Sequence, residues 1–205
     1  MTRLISEWIS DMEKTAAEWD EKLHMQTGID FVKIAAMISE CSEAEVMLAA
    51  ETNKVAVVPI TSGLGTISSF AESVAAIVKV MGFDAFVTEA TDVNGIYEAH
   101  VKDADYIYMA DDDRYIVINL RDGKIGDNNI GTSSAYSAIL EMMADGLNDK
   151  NVAVLGFGII GQLMAMFLED KGAEVSIYDK DTSKKGNVID SGYGWIKDVS
   201  ELKQY

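Results

Sequence analysis

Gly156, Gly158 and Gly161 stand at the spacing G-x-G-x-x-G where a strand pattern gives way to a helix pattern, and this constrains the fold more than any other feature. The apolar run Asn151-Val152-Ala153-Val154-Leu155 precedes Gly156-Phe157-Gly158-Ile159-Ile160-Gly161. A helical pattern follows from Gln162 to Lys171, then a second strand, Glu174 to Tyr178, ending in Asp179. Strand, glycine turn, helix, strand and acid in this register form a dinucleotide-binding fingerprint. Gly156 permits the tight turn, Gly158 lets a pyrophosphate approach the backbone, and Gly161 lets helix and strand pack closely. Phe157, Ile159 and Ile160 complete the loop at the helix N-terminus, whose free N–H groups and positive dipole end suit phosphates. Asp179 can accept ribose hydroxyls and repel a 2′-phosphate, so the expected cofactor is NAD rather than its 2′-phosphorylated form.

The formal net charge of −17 argues against a nucleic-acid partner, because such a chain has nothing with which to neutralise a phosphate backbone. It argues equally against an anionic membrane surface, and no apolar stretch reaches the length of a membrane span. The first residues carry acids and no long apolar run, so a secretory signal is not expected and the location is read as cytoplasmic. Cys41 is the single cysteine, which excludes a disulfide framework or a cysteine-based metal site. No metal site is expected.

Along the chain, residues 3 to 25 read as an amphipathic helix, with Leu4, Ile5, Trp8, Ile9, Met12, Ala16, Trp19 and Leu23 at helical spacing. A second helix is expected from Asp30 to Ser39, capped by Asp30 or entered through Thr27, and residues 43 to 51 lean helical. Strands follow at 55–60, 84–88, 106–110 and 115–119, with helices at 66–81 and from the Asp92-Val93-Asn94-Gly95 turn through Lys102. Asp127-Asn128-Asn129 reads as a polar loop before a helix capped by Thr132. Strands alternating with helices imply parallel βαβ units. The expected architecture is α/β: a helical and parallel-sheet substrate domain over residues 1–148, then a partial Rossmann dinucleotide-binding domain over 149–205. After Asp179 the candidates for at most one further short strand are Gly186-Asn187-Val188-Ile189 and Val199 to Tyr205. The exposed edge of an unfinished sheet favours association, such as a homodimer.

Ligands of α/β sheets sit at the carboxyl ends of the strands. Thr61-Ser62-Gly63, Asp111-Asp112-Asp113 and Asn128-Asn129 all fall at such positions. Carboxylates there suit an ammonium group, and hydroxyl and amide groups suit hydrogen bonds to a polar cationic substrate. Three successive acids equally suit a solvated loop. The triplet lacks the alternating spacing and closing Glu of a calcium loop. His24, on a helix near Trp19 and Leu23, reads as packing or surface rather than a ligand, His100 near a helix end is explained by the helix dipole, and no G-x-S-x-G elbow is present.

Several of these segments together resemble the pyrrolysine synthase family: residues 58–65, Gly82 to Glu89, Met109-Ala110-Asp111-Asp112, Asn119-Leu120 with Gly123-Lys124-Ile125, and Val154 to Gly158. The similarity runs from about Val55 to Asp181 and more loosely through the N-terminal helices. The resemblance implies an NAD-dependent enzyme acting on 3-methylornithyl-lysine. The terminal amine is oxidised by hydride transfer, ammonia is lost, and the α-amine closes the pyrroline ring with loss of water. It also implies roles: Asp111 and Asn128 as catalytic residues, with Asp111 pairing a substrate amino group, and Leu4, Thr61, Ser62 and Asp112 as substrate contacts. Leu4 falls in the helix that closes over the substrate in this family. Other readings of the same residues are a different NAD-dependent amine dehydrogenase or an inactive NAD-binding remnant. Members of the family continue past the position of Tyr205, so the resemblance implies a truncated polypeptide. An in-frame UAG, read as an amino acid by organisms that make pyrrolysine, is one origin for such a stop.

Overall fold

Val55, Ala56, Val57 and Val58 are each at most 2% exposed, so the first strand is buried on both faces. This is the centre of the first of two compact units, Met1–Asn128 and Asn129–Tyr205. The computed structural model describes residues 5–205, so Leu4 lies outside the described residues. In order, the first unit contains α1 (Met12–Thr27), α2 (Phe31–Ile38), α3 (Glu43–Thr52), β1 (Lys54–Pro59), α4 (Phe70–Val80), β2 (Asp84–Val87), α5 (Asp92–Val101), β3 (Tyr106–Ala110), β4 (Tyr115–Asn119) and β5 (Ile125–Asp127).

The strand order is β2-β1-β3-β4-β5. Alternation along β1 assigns its two faces. Val55 and Val57 pack with Ala71, Val74, Ala75 and Val78 of α4. Ala56 and Val58 pack with Ala99 of α5, and with Ala104 and Ile107. Burying each valine contributes about 1.5–3 kcal/mol relative to exposure. Gly95 makes the close packing of α5 possible, because a Cβ there would stand 2.6 Å from Val58 Cγ1 and 2.6 Å from the Ala90 carbonyl. On the outside, α1 packs against α4, and the Ser73 hydroxyl donates to the Ile9 carbonyl at 3.2 Å.

β1 pairs in parallel with both β2 and β3, as the alternating pattern implies. The remaining pairings correct the expectation of a purely parallel sheet: β3–β4 and β4–β5 are antiparallel. The loop between β3 and β4 spans only residues 111–114, far too short for the crossover that a parallel pair requires. At the N-terminus, the single helix expected over 3–25 is instead a 3₁₀ turn (Ser6–Trp8) followed by α1. Among the described residues, only Ile9 and Ala16 of its apolar positions are buried, while Trp8 and Trp19 are exposed. Asp30 caps α2 as expected, accepting from the Lys33 N–H.

The second unit contains α6 (Asn128–Met143, apart from its first residue), β6 (Asn151–Leu155), α7 (Ile159–Asp170), β7 (Glu174–Tyr178), α8 (Lys185–Asp190) and β8 (Gly194–Trp195). The division falls earlier than the boundary expected at 148/149 because Leu140, Ala144 and Leu147 pack into the core around Leu168, Ile177 and Val188. α6 begins at Asn128, where a polar loop up to Thr132 was expected. The three strands are parallel in the order β6-β7-β8, which is the βαβαβ half of a dinucleotide-binding fold. The strand expected at Gly186–Ile189 is instead part of α8, with Val188 fully buried against the sheet, and the third strand lies at Gly194–Trp195.

Candidate functional site

Because β1 and β3 are parallel with Pro59 opposite Ala110, their exit loops emerge side by side. The chain leaves β1 towards β2 on one side and reaches β3 on the other, so this is a topological switch point, where open α/β sheets bind ligands. A cavity of about 500 Å³ opens there, within the usual range for small-molecule sites. Thr61, Asp111, Asp112 and Asn128, four of the residues singled out in the sequence, line it together. Ser62 does not line it, but its hydroxyl is near enough to the Asp111 carboxylate to help lower its pKa.

The geometry divides the labour among these residues. Asp111 Oδ1 accepts the backbone N–H groups of Asp113 at 2.9 Å and Arg114 at 2.7 Å, while the Asp111 N–H donates to the Arg114 carbonyl at 2.8 Å. The β3–β4 turn thus fixes the carboxylate. The N–H of Arg114, then that of Asp113, then the Ser62 hydroxyl hold Asp111 below the usual carboxylate range. A carboxylate so stabilised holds a cation better than it takes a proton. Asp112 acts on the neighbouring loop: its Oδ2 accepts the Leu64 N–H at 2.6 Å. Gly63, at φ +67°, leaves the space this carboxylate fills. Thr61 is clamped by Asp92, whose Oδ1 accepts the Thr61 N–H at 2.8 Å and whose Oδ2 accepts its hydroxyl at 2.6 Å.

Three residues of this cavity escaped the sequence reading. Phe70 and Tyr115 form its apolar wall, edge to face with centroids 5.7 Å apart. Burial, reinforced by Tyr108, pushes the Tyr115 hydroxyl well above the usual phenol range, so it stays a proton donor. Glu72 adds a third carboxylate to the lining, and no Lys or Arg is among the described lining residues. Tyr115 was legible in principle as the first residue after the acidic turn. The other two follow a loop whose path no short-range pattern specifies.

In the second unit the glycines behave as their spacing implies. Gly156 has φ +102°, a conformation disfavoured for side-chain-bearing residues. A Cβ at Gly161 would collide with the Gly156 carbonyl oxygen and stand 2.9 Å from its carbon. A Cβ at Gly158 would meet nothing within 4 Å, so open space faces the backbone there. α7 then starts at Ile159 with no side-chain cap, leaving its first-turn N–H groups available to an anion. These residues fit a dinucleotide's pyrophosphate.

Asp179 is 6% exposed and heavily engaged. Its Oδ2 accepts from Lys184 Nζ at 2.8 Å and the Phe157 N–H at 2.7 Å, and its Oδ1 accepts the Asp181 N–H at 2.8 Å. Lys184, then the Phe157 and Asp181 amides, bring its pKa down to about 2. The sequence pattern did not single out Lys184; its position five residues after the acid was the available signal.

Comparison with known proteins agrees with both halves. Residues 9–126 match the family model of the pyrrolysine biosynthesis protein PylD, N-terminal domain. Residues 151–204 match that of the NAD binding domain of 6-phosphogluconate dehydrogenase. Pyrrolysine synthase of Methanosarcina acetivorans is 36% identical over 88% of this chain and 67% of its own length. That of Methanosarcina barkeri is 38% identical over 79% of this chain and 59% of its own length. The chain therefore spans roughly three-fifths to two-thirds of the length of these relatives. Among solved structures, shikimate dehydrogenase from Aquifex aeolicus aligns over 75% of this chain and 65% of its own, with 14% identity and a TM-score of 0.45.

Proposed function

Since the chain belongs to the pyrrolysine biosynthesis protein PylD family, we propose that it acts in pyrrolysine biosynthesis by oxidising the terminal amine of 3-methylornithyl-lysine with NAD. Water then adds to the imine so formed and ammonia leaves, giving a semialdehyde, which the α-amine attacks with loss of water to close the pyrroline ring. NAD, when bound, supplies the hydride acceptor.

The observation that carries this reading is the composition of the cavity at the β1/β3 switch point: three carboxylates, no described cation, and an aromatic wall. A substrate with ammonium groups joined by methylene chains matches it. Asp111, fixed by its turn and kept ionised, holds a substrate ammonium. Phe70 and Tyr115 pack against the aliphatic stem and keep water from it. Asn128 offers an amide to a polar group of the substrate. Asp112 and Asp92 hold the Gly63–Leu64 turn and Thr61 in place. Gly156, Phe157, Gly158, Ile159, Ile160 and Gly161 hold the cofactor's pyrophosphate through backbone N–H groups.

The test is NADH absorbance on mixing the protein with NAD and 3-methylornithyl-lysine, with lysine and ornithine as controls. The expected result is NADH formation with the amide alone. Equal rates with free ornithine would point instead to a general amine dehydrogenase.

A further inference from the structure

Lys184 changes what the acid at the end of β7 can do. An acid in this position ordinarily offers both carboxylate oxygens to a ribose diol and excludes a 2′-phosphate by its charge. Here three hydrogen bonds from within the chain already occupy the Asp179 carboxylate, out of about four acceptor positions. One of the three is an ion pair, with Lys184 Nζ 2.8 Å from Oδ2 and the Lys184 side chain 34% exposed. The segment from Asp179 to Lys185 holds three lysines, Lys180, Lys184 and Lys185, against two acids, Asp179 and Asp181. The charge facing the 2′ position is therefore not that of a lone carboxylate.

We propose that Lys184 is a specificity-determining residue that narrows this site's preference for NAD over its 2′-phosphorylated counterpart. Its ammonium competes with the ribose hydroxyls for Asp179 Oδ2 and weakens NAD binding. The same ammonium offsets the repulsion between Asp179 and a 2′-phosphate and strengthens NADP binding. Both effects move the affinity ratio in one direction. The two amide donors, Phe157 and Asp181, remain on the carboxylate in either case, so the ion pair is the component that yields to a ligand. The inference rests on the dinucleotide-binding reading of the second unit.

Calorimetric titration of the protein with NAD and with NADP tests it by binding alone. Replacing Lys184 with Met is expected to raise the ratio of the NADP Kd to the NAD Kd about tenfold, the size of one unscreened charge at close range. Lys184→Gln is expected to act in the same direction, and Lys184→Arg to keep the ratio near that of the parent protein. Added salt is expected to shrink the difference between the parent and Lys184→Met. If both neutral variants bind NAD and leave the ratio unchanged, the proposal is overturned while the NAD site stands. Absence of heat with either dinucleotide in the parent protein would overturn the NAD site itself, and the proposal with it.

Discussion

The backbone N–H of Phe157 donates to Oδ2 of Asp179 at 2.7 Å, joining residues 22 positions apart in the chain. This bond ties the glycine turn after β6 to the end of β7. The turn's shape therefore depends on the acid that ends β7, and Asp179 is a structural clamp as well as a ligand candidate.

Asp179→Asn is accordingly expected to lower stability as well as NAD affinity. The folded-state pKa of about 2 lies below the ordinary Asp value, so the carboxylate's contribution is fully present above the unfolded value of about 3.9. It is lost as the pH falls towards about 2. Urea unfolding midpoints should show the parent more stable than Asp179→Asn at neutral pH, with the gap closing between about pH 4 and pH 2. A gap independent of pH would show that the ionised form is not what stabilises the turn.

Gly161→Ala should be among the most damaging single-methyl changes in the second unit. The new Cβ meets backbone, the Gly156 carbonyl, which cannot rotate away. The expected cost is about 2–4 kcal/mol of stability, together with loss of NAD binding. Thermal melting and NAD titration measure the two effects, and unchanged values in both would contradict the packing described. Gly158→Ala, by contrast, has space for its methyl group and should fold normally while losing NAD affinity.

Gly63→Ala should disturb the other site. It strains a left-handed residue and displaces the Asp112 carboxylate that accepts from Leu64. A stability loss of about 1–3 kcal/mol and weaker substrate binding are expected, with the NAD Kd unchanged. A substrate Kd equal to that of the parent would separate the Gly63 turn from the cavity.

Asp111→Asn removes the charge but keeps the shape. The carboxylate–ammonium bond is a charge-assisted one, so substrate affinity should fall about 10- to 100-fold while NAD binding is unaffected. Isothermal titration with each ligand separates the two. An unchanged substrate Kd would remove Asp111 from the amine site.

The fingerprint was legible because its residues act locally. Gly156 needs its positive φ, Gly161 its close approach to the Gly156 carbonyl, and both requirements lie within the motif itself. The switch-point cavity was legible in part, since strand ends mark where Thr61, Asp111 and Asn128 fall. What escaped depends on distant partners. Asp92 acts through Thr61, 31 positions away, and nothing local distinguishes it from a helix-start residue. Val188 has the β-branched character of a strand residue, yet its burial against β7 is achieved from a short helix. The hairpin β3–β4 was hidden by the expectation of alternation, although the four residues from Asp111 to Arg114 leave no room for a crossover.

If, as proposed, an amine held at the Asp111 cavity is oxidised with NAD, its nitrogen leaves as ammonia. The most direct measurement is the stoichiometry of NADH and ammonium formed together from 3-methylornithyl-lysine. Equal amounts of the two are expected, with pyrrolysine as the accompanying product. NADH without ammonium, or neither from a protein that binds both NAD and the substrate, would contradict it.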